Sequence, residues 1–335
     1  MKQSKSGGYE KTLEIIKSTH TMPPQEAIET LINCAKKGYP LASVKAVQMI
    51  STQNHMSVVP SLIDLYGYLE EDPHKYDKGC DIRIAIAEAL GDTGSLLAID
   101  TLKRAVRTIQ IVKLGPTPED IAISLRATAA LALAKTDSNA LYELSLLLFD
   151  EEPDIPTAAV NIPFVKAPVR RAAAQAIGIL GDLGGMPLLA VKLKFPNSEV
   201  PEVLAECLES LIAMRPPYVL EVVGPYLSGK DEYLSAITAL SLAENLGVEV
   251  LDLLLETLEN LHGEAKEAIV VAISVIRGSG IRQILLELLN DPSPFVRRGA
   301  VKGIKSYLDD AAREKLQKMS KTDPDKFVRI EAELE

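Results

Sequence analysis

The chain has no tryptophan, only five phenylalanines and an aromatic fraction of 4%. Sandwiches and barrels draw on aromatic and β-branched strand runs, so this scarcity argues against an all-β core. Apolar residues still make up 47% of the 335 positions, which excludes general disorder. They are mostly Leu, Ile, Val and Ala, residues suited to closely stacked helices. Cysteine is rare: Cys34, Cys80 and Cys207 stand far apart with no Cys-x-x-Cys pair, the usage of a reducing compartment. The opening MKQSKSGGY is polar, and no uninterrupted apolar run approaches the ~18 residues of a membrane span. A cytoplasmic protein with no membrane partner is expected. A basic excess is lacking as well. The net charge of -10 argues against nucleic acid as a partner, because phosphate contacts need a basic field.

Catalytic and metal-binding patterns are also missing. His20, His55, His74 and His262 are scattered, with no HExxH or HxH. His74 and Cys80 share one stretch, but two ligands do not close a zinc site. There is no GxGxxG, no GxxxxGK[ST] and no GxSxG. Gly91-Asp92-Thr93-Gly94 falls between two helical segments and reads as a turn, not as an aspartic-protease loop. No catalytic residue, metal or cofactor is assigned, and the reading leans against an enzyme.

What the chain does have is an internal repeat. Asp291-Pro292-Ser293-Pro294-Phe295-Val296-Arg297 returns 32 residues later as Asp323-Pro324-Asp325-Lys326-Phe327-Val328-Arg329. The Val-Arg pair opens a small-residue helix, Val296-Arg297-Arg298-Gly299-Ala300-Val301-Lys302-Gly303-Ile304. Related phrases start at Val169-Arg170-Arg171-Ala172-Ala173, at Ile82-Arg83-Ile84-Ala85 and, more loosely, at Leu125-Arg126-Ala127. A Leu-rich helix follows each, with Leu251, Leu254, Leu255 and Leu258 at helical spacing in one of them. Ala85 and Ala89, or Ala172 and Ala176, recur at i, i+4 and let neighbouring helix backbones approach closely. One such pair cannot bury both faces, so pairs must stack.

This pattern resembles the HEAT-repeat family, most closely its PBS-lyase-like subtype, whose phrase is VR-x-AA-x-x-AL-G. The resemblance runs from about residue 40 to the end. Between residues 199 and 280 three units lack the Arg, with Leu204, Tyr233 and Lys266 near its place. Tetratricopeptide repeats have a similar length, but their Trp, Gly-Tyr and Pro signature is absent. The resemblance implies an all-α, α-α superhelix of the armadillo type, a HEAT-type solenoid of about eight helix pairs. Residues 1–39 are read as lead-in helices and cap (9–18 and 25–37), and residues 40–335 as the repeats. The expected pairs are 41–53/57–69, 82–93/95–113, 118–136/139–149, 167–181/186–194, 200–214/217–227, 231–246/248–261, 264–277/281–290 and 295–308/310–320. A last helix starts near 326.

Breaks in a repeat are where function is most often added. A proline-rich insertion at 151–168 carries Ile155, Asn161, Ile162, Phe164 and Lys166, and the links at 70–81, with Tyr76, and 114–119 are also long. All three join a second helix to the next first helix, so they are expected along one edge. Charge is uneven too. Residues 199–267 hold 14 acidic and 3 basic residues, whereas 293–329 hold 10 basic and 5 acidic. Glu249, Asp252, Glu256 and Glu259 share one face of a second helix, and the resemblance implies that second helices line the concave side. The recurring Arg83, Arg126, Arg170, Arg297 and Arg329 are expected to form an internal ladder, with Asp291 and Asp323 among the acceptors.

A scaffold or adaptor follows as the leading function. It would bind a protein partner, of basic character at the acidic face, through the concave side and the loop-bearing edge. The alternative is a catalytic or non-catalytic subunit of a bilin-lyase-like enzyme, as the subtype implies; a nucleic-acid-binding HEAT-like protein is weaker. HEAT-type di-iron enzymes carry repeated His-Glu dipeptides, and none occurs here. A monomer, or weak association of the basic end with the acidic middle of another copy, is expected.

Overall fold

The computed structural model describes residues 3–37, 39–52, 56–113, 118–149 and 167–334. The chain is all-α. Its contacts divide into two compact units, Met1–Gly185 and Met186–Glu335.

In the first unit the helices are α1 (Gln3–Ser18), α2 (Pro24–Ala35), α3 (Pro40–Ser51), α4 (Val59–Glu71) and α5, a single turn (Pro73–Tyr76). They continue with α6 (Asp81–Thr93), α7 (Ile99–Ala105), α8 (Ile123–Thr136), α9 (Leu141–Leu148) and α10 (Ala167–Leu180). In α6 the buried residues Ile82, Ala85, Ile86, Ala89 and Leu90 follow the helical period. Gly94 then ends the element at a φ of 59°, where a glycine carries no Cβ penalty. First helices α3, α6, α8 and α10 pack on one another in series, while α4, α7 and α9 each lie against the following first helix.

The second unit repeats the plan. Its helices are α11 (Gly185–Lys194, beginning at the unit boundary), α12 (Pro201–Met214), α13 (Val219–Leu227), α14 (Glu232–Leu246), α15 (Leu251–Asn260) and α16 (Glu264–Val275). The unit closes with α17 (Ile281–Leu288), α18 (Pro294–Ile304), α19 (Asp310–Thr322) and α20 (Lys326–Glu331). Here α12, α14, α16, α18 and α20 form the row of first helices, and α13, α15, α17 and α19 flank it. The stretch Glu232–Asn260 is apolar enough over 18 residues to pass for a membrane span. It is instead two helices, α14 and α15, broken at Gly247 with a φ of 60°.

Within the first-helix rows the spacing is set by backbone size. A Cβ on Gly91 of α6 would lie 2.6 Å from Ala132 Cβ and 2.7 Å from Ala132 Cα of α8. One on Gly299 of α18 would meet Val270 Cβ of α16 at 2.8 Å and Glu267 O at 2.9 Å. Second helices instead reach one another through long side chains. Arg104 of α7 pairs with Glu70 of α4 at 3.0 Å, and Lys315 of α19 donates to Asn290 Oδ1 at 2.8 Å.

Two expected elements need correction. The helix expected over 95–113 is a 3-10 turn at Leu96–Ala98 followed by α7, which stops at Ala105. The helix expected from 118 starts at Ile123. Between them Ile111–Lys113 (β1) pairs antiparallel with Pro118–Asp120 (β2), the sole sheet among the described residues. The cause is local. Ile109, Gln110 and Ile111 alternate, with Ile109 and Ile111 exposed and the polar Gln110 buried, a period of two that no helix face accepts. The last helix is short, and Phe327 and Ile330 stand exposed on it beside the polar Glu331 and Glu333.

The contrast between two helical glycines gives a test. Alanine favours a helix over glycine by ~1 kcal/mol. At Gly67 of α4, where a Cβ would meet nothing within 4 Å, Gly67→Ala is expected to stabilise the protein. Overpacking at Gly91 costs ~1–3 kcal/mol, so Gly91→Ala is expected to be destabilising despite its better propensity. Urea denaturation followed by helical circular dichroism distinguishes the two. Equal shifts in the midpoint would refute the close-approach account.

Candidate functional site

Four of the repeat arginines sit six residues after an aspartate: Asp77/Arg83, Asp120/Arg126, Asp291/Arg297 and Asp323/Arg329. In the first, the buried Asp77 carboxylate accepts from the Ile82 and Arg83 N–H groups at 3.1 Å and from Arg83 Nε at 3.0 Å. Arg83 Nη2 then reaches Gln110 Oε1, while Gln110 Nε2 donates to the carbonyls of Asp77 and Lys78. In the second, Asp120 takes Arg126 Nη1 at 2.6 Å and the N–H groups of Gln110 and Ala122, which fixes the ribbon to α8. Arg126 Nη1 also donates to Thr108 O at 2.8 Å, whereas its Nε and Nη2 are buried with no hydrogen-bond partner.

The C-terminal pairs work differently. Arg297 donates from Nη1 to the carbonyls of Asp291 and Pro292, and from Nε and Nη2 to the Asp323 carboxylate of the next repeat at 2.9 and 2.8 Å. Arg329 Nη1 in turn donates to Asp323 O at 2.7 Å. Asp323 therefore joins two repeats, whereas Asp291 serves through its carbonyl. Arg170 is buried on α10 and has an interaction partner. The expected list omits Asp77, Asp120 and Gln110. The i, i+6 Asp–Arg spacing was the signal available for the two aspartates; Gln110 had none. On α14 the buried pair corresponding to Val296-Arg297 is Leu234-Ser235, so the arginine's place falls two residues after Tyr233. Ser235 Oγ donates to Leu227 O at 2.6 Å, bonding the last residue of the preceding helix, where the arginines bond carbonyls of the link beyond it.

On the link edge, Tyr76 stacks on Tyr68 of α4 with ring centroids 4.5 Å apart. Lys36 lies 4.7 Å from the Tyr68 ring centroid and Lys75 lies 4.8 Å from that of Tyr76. Tyr76 is thus engaged within its own unit, pinning the 70–81 link to α4. The insertion residues Ile155, Asn161, Ile162, Phe164 and Lys166 lie outside the described residues.

The acidic row is on the surface. Glu249, Asp252, Glu256 and Glu259 are all exposed along α15 and its lead-in turn. Among the described residues no salt bridge reaches any of the four. Their placement is not explained by helix energetics alone. Asp252 in the first turn complements the helix dipole and Glu256 is mid-helix, but Glu259 lies in the last turn, where negative charge is unfavourable by ~0.3–1 kcal/mol at exposed sites.

The basic C-terminal segment is mostly used internally. Arg298 and Lys302 hold Glu267, Lys305 meets Glu331 at 3.4 Å, and Arg297 holds Asp323. Burial raises the Glu267 carboxyl, but hydrogen bonds from Arg298 and Lys302 outweigh it and hold it below the ordinary value. Among the described residues no three His, Cys, Asp or Glu side chains gather to hold a metal ion. All three thiols are buried, and burial raises each, Cys80 to about 11.

Residues 251–335 match the family model for HEAT repeats, which supports the HEAT-repeat family on the stretch where the Asp-Pro…Val-Arg phrase is most regular. No curated protein matches the chain.

The Arg297–Asp323 joint predicts a pH dependence. Burial raises the Asp323 carboxyl, but the Arg297 hydrogen bonds, the Asp325 N–H and the charges of Arg297 and Arg329 bring it below its ordinary value. A carboxylate depressed in the folded state contributes stability above its unfolded pKa of ~3.9, and loses it as pH falls through the folded pKa. Breaking a buried pair costs ~3–5 kcal/mol, and Asp323→Asn is expected near the lower end because its amide still accepts one bond. The gap between wild type and variant in urea unfolding should shrink as pH drops below ~4. A gap constant from neutral to acid pH would show that the charge is not involved.

Proposed function

We propose that the protein is a non-catalytic interaction scaffold that holds a basic segment of a protein partner along the carboxylate row of α15. The observation that carries this reading is the row itself: four exposed acidic side chains on one helix face, without internal counter-charges among the described residues. Other charges of the second unit are drawn inward, as at Glu267, at Asp323, and at Lys192 and Glu199, which pair at 2.7 Å in a largely buried site. Leaving Glu259 near the wrong helix end sacrifices local stability, as expected of a surface kept for recognition. HEAT repeats commonly serve as protein-interaction scaffolds, which agrees with this assignment. Within that family the Val-Arg phrase of the first helices supports a PBS-lyase-like subtype. In this reading the protein acts as a monomer in the cytoplasm, away from membranes and nucleic acid, and the 151–168 insertion is a second grip on the same partner.

Opposite charges arranged along a face steer association and make it salt-sensitive. A fluorescent lysine-rich peptide is therefore expected to bind the intact protein, with affinity falling as salt rises. Replacing all four acidic side chains together, Glu249→Gln, Asp252→Asn, Glu256→Gln and Glu259→Gln, should weaken binding by at least ~10-fold. The same variant should stay within ~1 kcal/mol of wild type in stability, since the charges lost at Asp252 and at Glu259 act oppositely on the helix dipole. Unchanged peptide affinity in a folded variant would remove the reading.

A further inference from the structure

The second unit has another feature, on the opposite helical layer. Two shallow grooves lie along the exposed face of its first helices. One, of about 500 Å³, is at the N-terminal ends of α14 and α16, lined by Glu232, Tyr233, Ala236, Glu264, Ala268 and Val271, with Arg298 and Lys302 of α18 on its far wall. The other, of about 630 Å³, is at the C-terminal ends of α12, α14 and α16, and includes Arg215, Glu244, Val248, Val275 and Arg277. Val271 and Val275 are one turn apart on α16, and Ala236, Leu240 and Glu244 follow the same spacing on α14. The two grooves therefore form the ends of one track along α16. Its 12 residues give the track a length of about 18 Å.

The track has an apolar floor and ends of opposite net charge: Glu232, Glu264 and Glu267 outnumber Arg298 and Lys302 at one, and Arg215 and Arg277 outnumber Glu244 at the other. Its floor is made of small side chains, Ala236, Ala268 and Val271, and Tyr233, Val248 and Val275 stand 49%, 55% and 39% exposed along it. Such clustered apolar exposure is a mark of contact surfaces. At one end stand Glu232 and Glu264, and among the described residues the latter's single salt bridge is to Arg298 at 3.9 Å. At the other stand Arg215 and Arg277, both exposed and, among the described residues, in no salt bridge. Arg215 caps α12 in the left-handed region, φ 51°, a position that glycine fills without strain. An arginine is kept there at a conformational cost.

We infer that this track is a docking surface for an amphipathic helix of a protein partner, about three turns long and antiparallel to α16. The orientation follows from the charges. Helices in general favour acidic residues in the first turn and basic residues in the last. Laid antiparallel, such a helix sets its basic last turn against Glu232 and Glu264, and its acidic first turn against Arg215 and Arg277. Laid parallel, it meets a net like charge at both ends. An apolar stripe at i, i+3, i+4 and i+7 covers the alanine and valine floor. This surface is distinct from the α15 row and independent of it.

The test uses the full chain and two synthetic helices of about 14 residues with the same apolar stripe. One carries Glu in its first turn and Lys in its last; the other has these ends exchanged. The first is expected to bind at least ~10-fold more tightly by fluorescence anisotropy. Ala268→Trp, which fills the floor, should abolish binding, and Glu264→Lys with Arg277→Glu should invert the preference between the two peptides. The fourfold α15 variant should bind both as wild type does, which separates this surface from the one proposed above. A spin label on the C-terminus of the first peptide should broaden amide signals near Glu264 and spare those near Arg277. Equal affinity for both peptides, no binding of either, or broadening near Arg277 would overturn the inference. So would sedimentation showing a dimer that Ala268→Trp dissociates, since a second copy would then be the occupant.

Discussion

Close approach of the first helices is the constraint on which the rest of each unit depends. Where Gly91 meets Ala132, or Gly299 meets Val270 and the Glu267 carbonyl, the spacing leaves no room for a side chain of ordinary size. Small side chains bury little area individually, so stability comes from many short contacts at near-crystalline density. The larger apolar residues are then needed on the flanking helices. Leu144 and Leu148 of α9, or Leu254 and Leu258 of α15, fill the space between one first helix and the next. Each second helix is thus anchored to the row, and its outward face is left free to vary.

The aspartate–arginine joints follow from the same geometry. When two first helices run close together, the turn that starts each one is crowded, and its N–H groups need partners that fit inside it. An aspartate six residues before the arginine answers both needs. Its carboxylate accepts backbone donors at the helix start, and the guanidinium bonds the preceding turn or the next repeat. In α14 a serine hydroxyl on the Leu227 carbonyl replaces part of this arrangement with one neutral bond. The substitution removes a buried cation from a region already rich in carboxylates, and it helps explain why the surplus of negative charge is found there.

The repeat and its helix pairs were legible because they depend on patterns that sequence displays directly: apolar period, small residues at i, i+4, and the Val-Arg phrase. The β1–β2 ribbon was not, because its apolar residues suit either a helix or a strand over so short a run. Only the buried Gln110, bonded to Arg83 and to the Asp77 and Lys78 carbonyls, decides between them. Tyr76 was read as a candidate partner-binding residue in a long link, yet its ring is held by Tyr68 and Lys75, contacts that no linear pattern reveals. The acidic row of α15 was readable from spacing, and its exposure agrees with that spacing. The track along α16 was not readable at all, since Arg215 and Arg277 lie 62 positions apart and meet only at the ends of α12 and α16.

A repeat touches only its neighbours, so its two layers can be altered with little effect on each other. In the second unit this separation has a chemical form. Within the flanking layer, α15 and its lead-in turn carry one sign of charge along an exposed row, a field that acts at long range and with little orientational demand. The first-helix layer has an apolar floor between opposite charges, which does little at a distance but sets direction once contact is made. Capture and alignment call for different surfaces. A field strong enough to gather a partner is too uniform to orient it, and the small residues that let first helices approach also leave a trough between Tyr233 and Lys302. The packing rule that holds the unit together therefore supplies the shape of the proposed track.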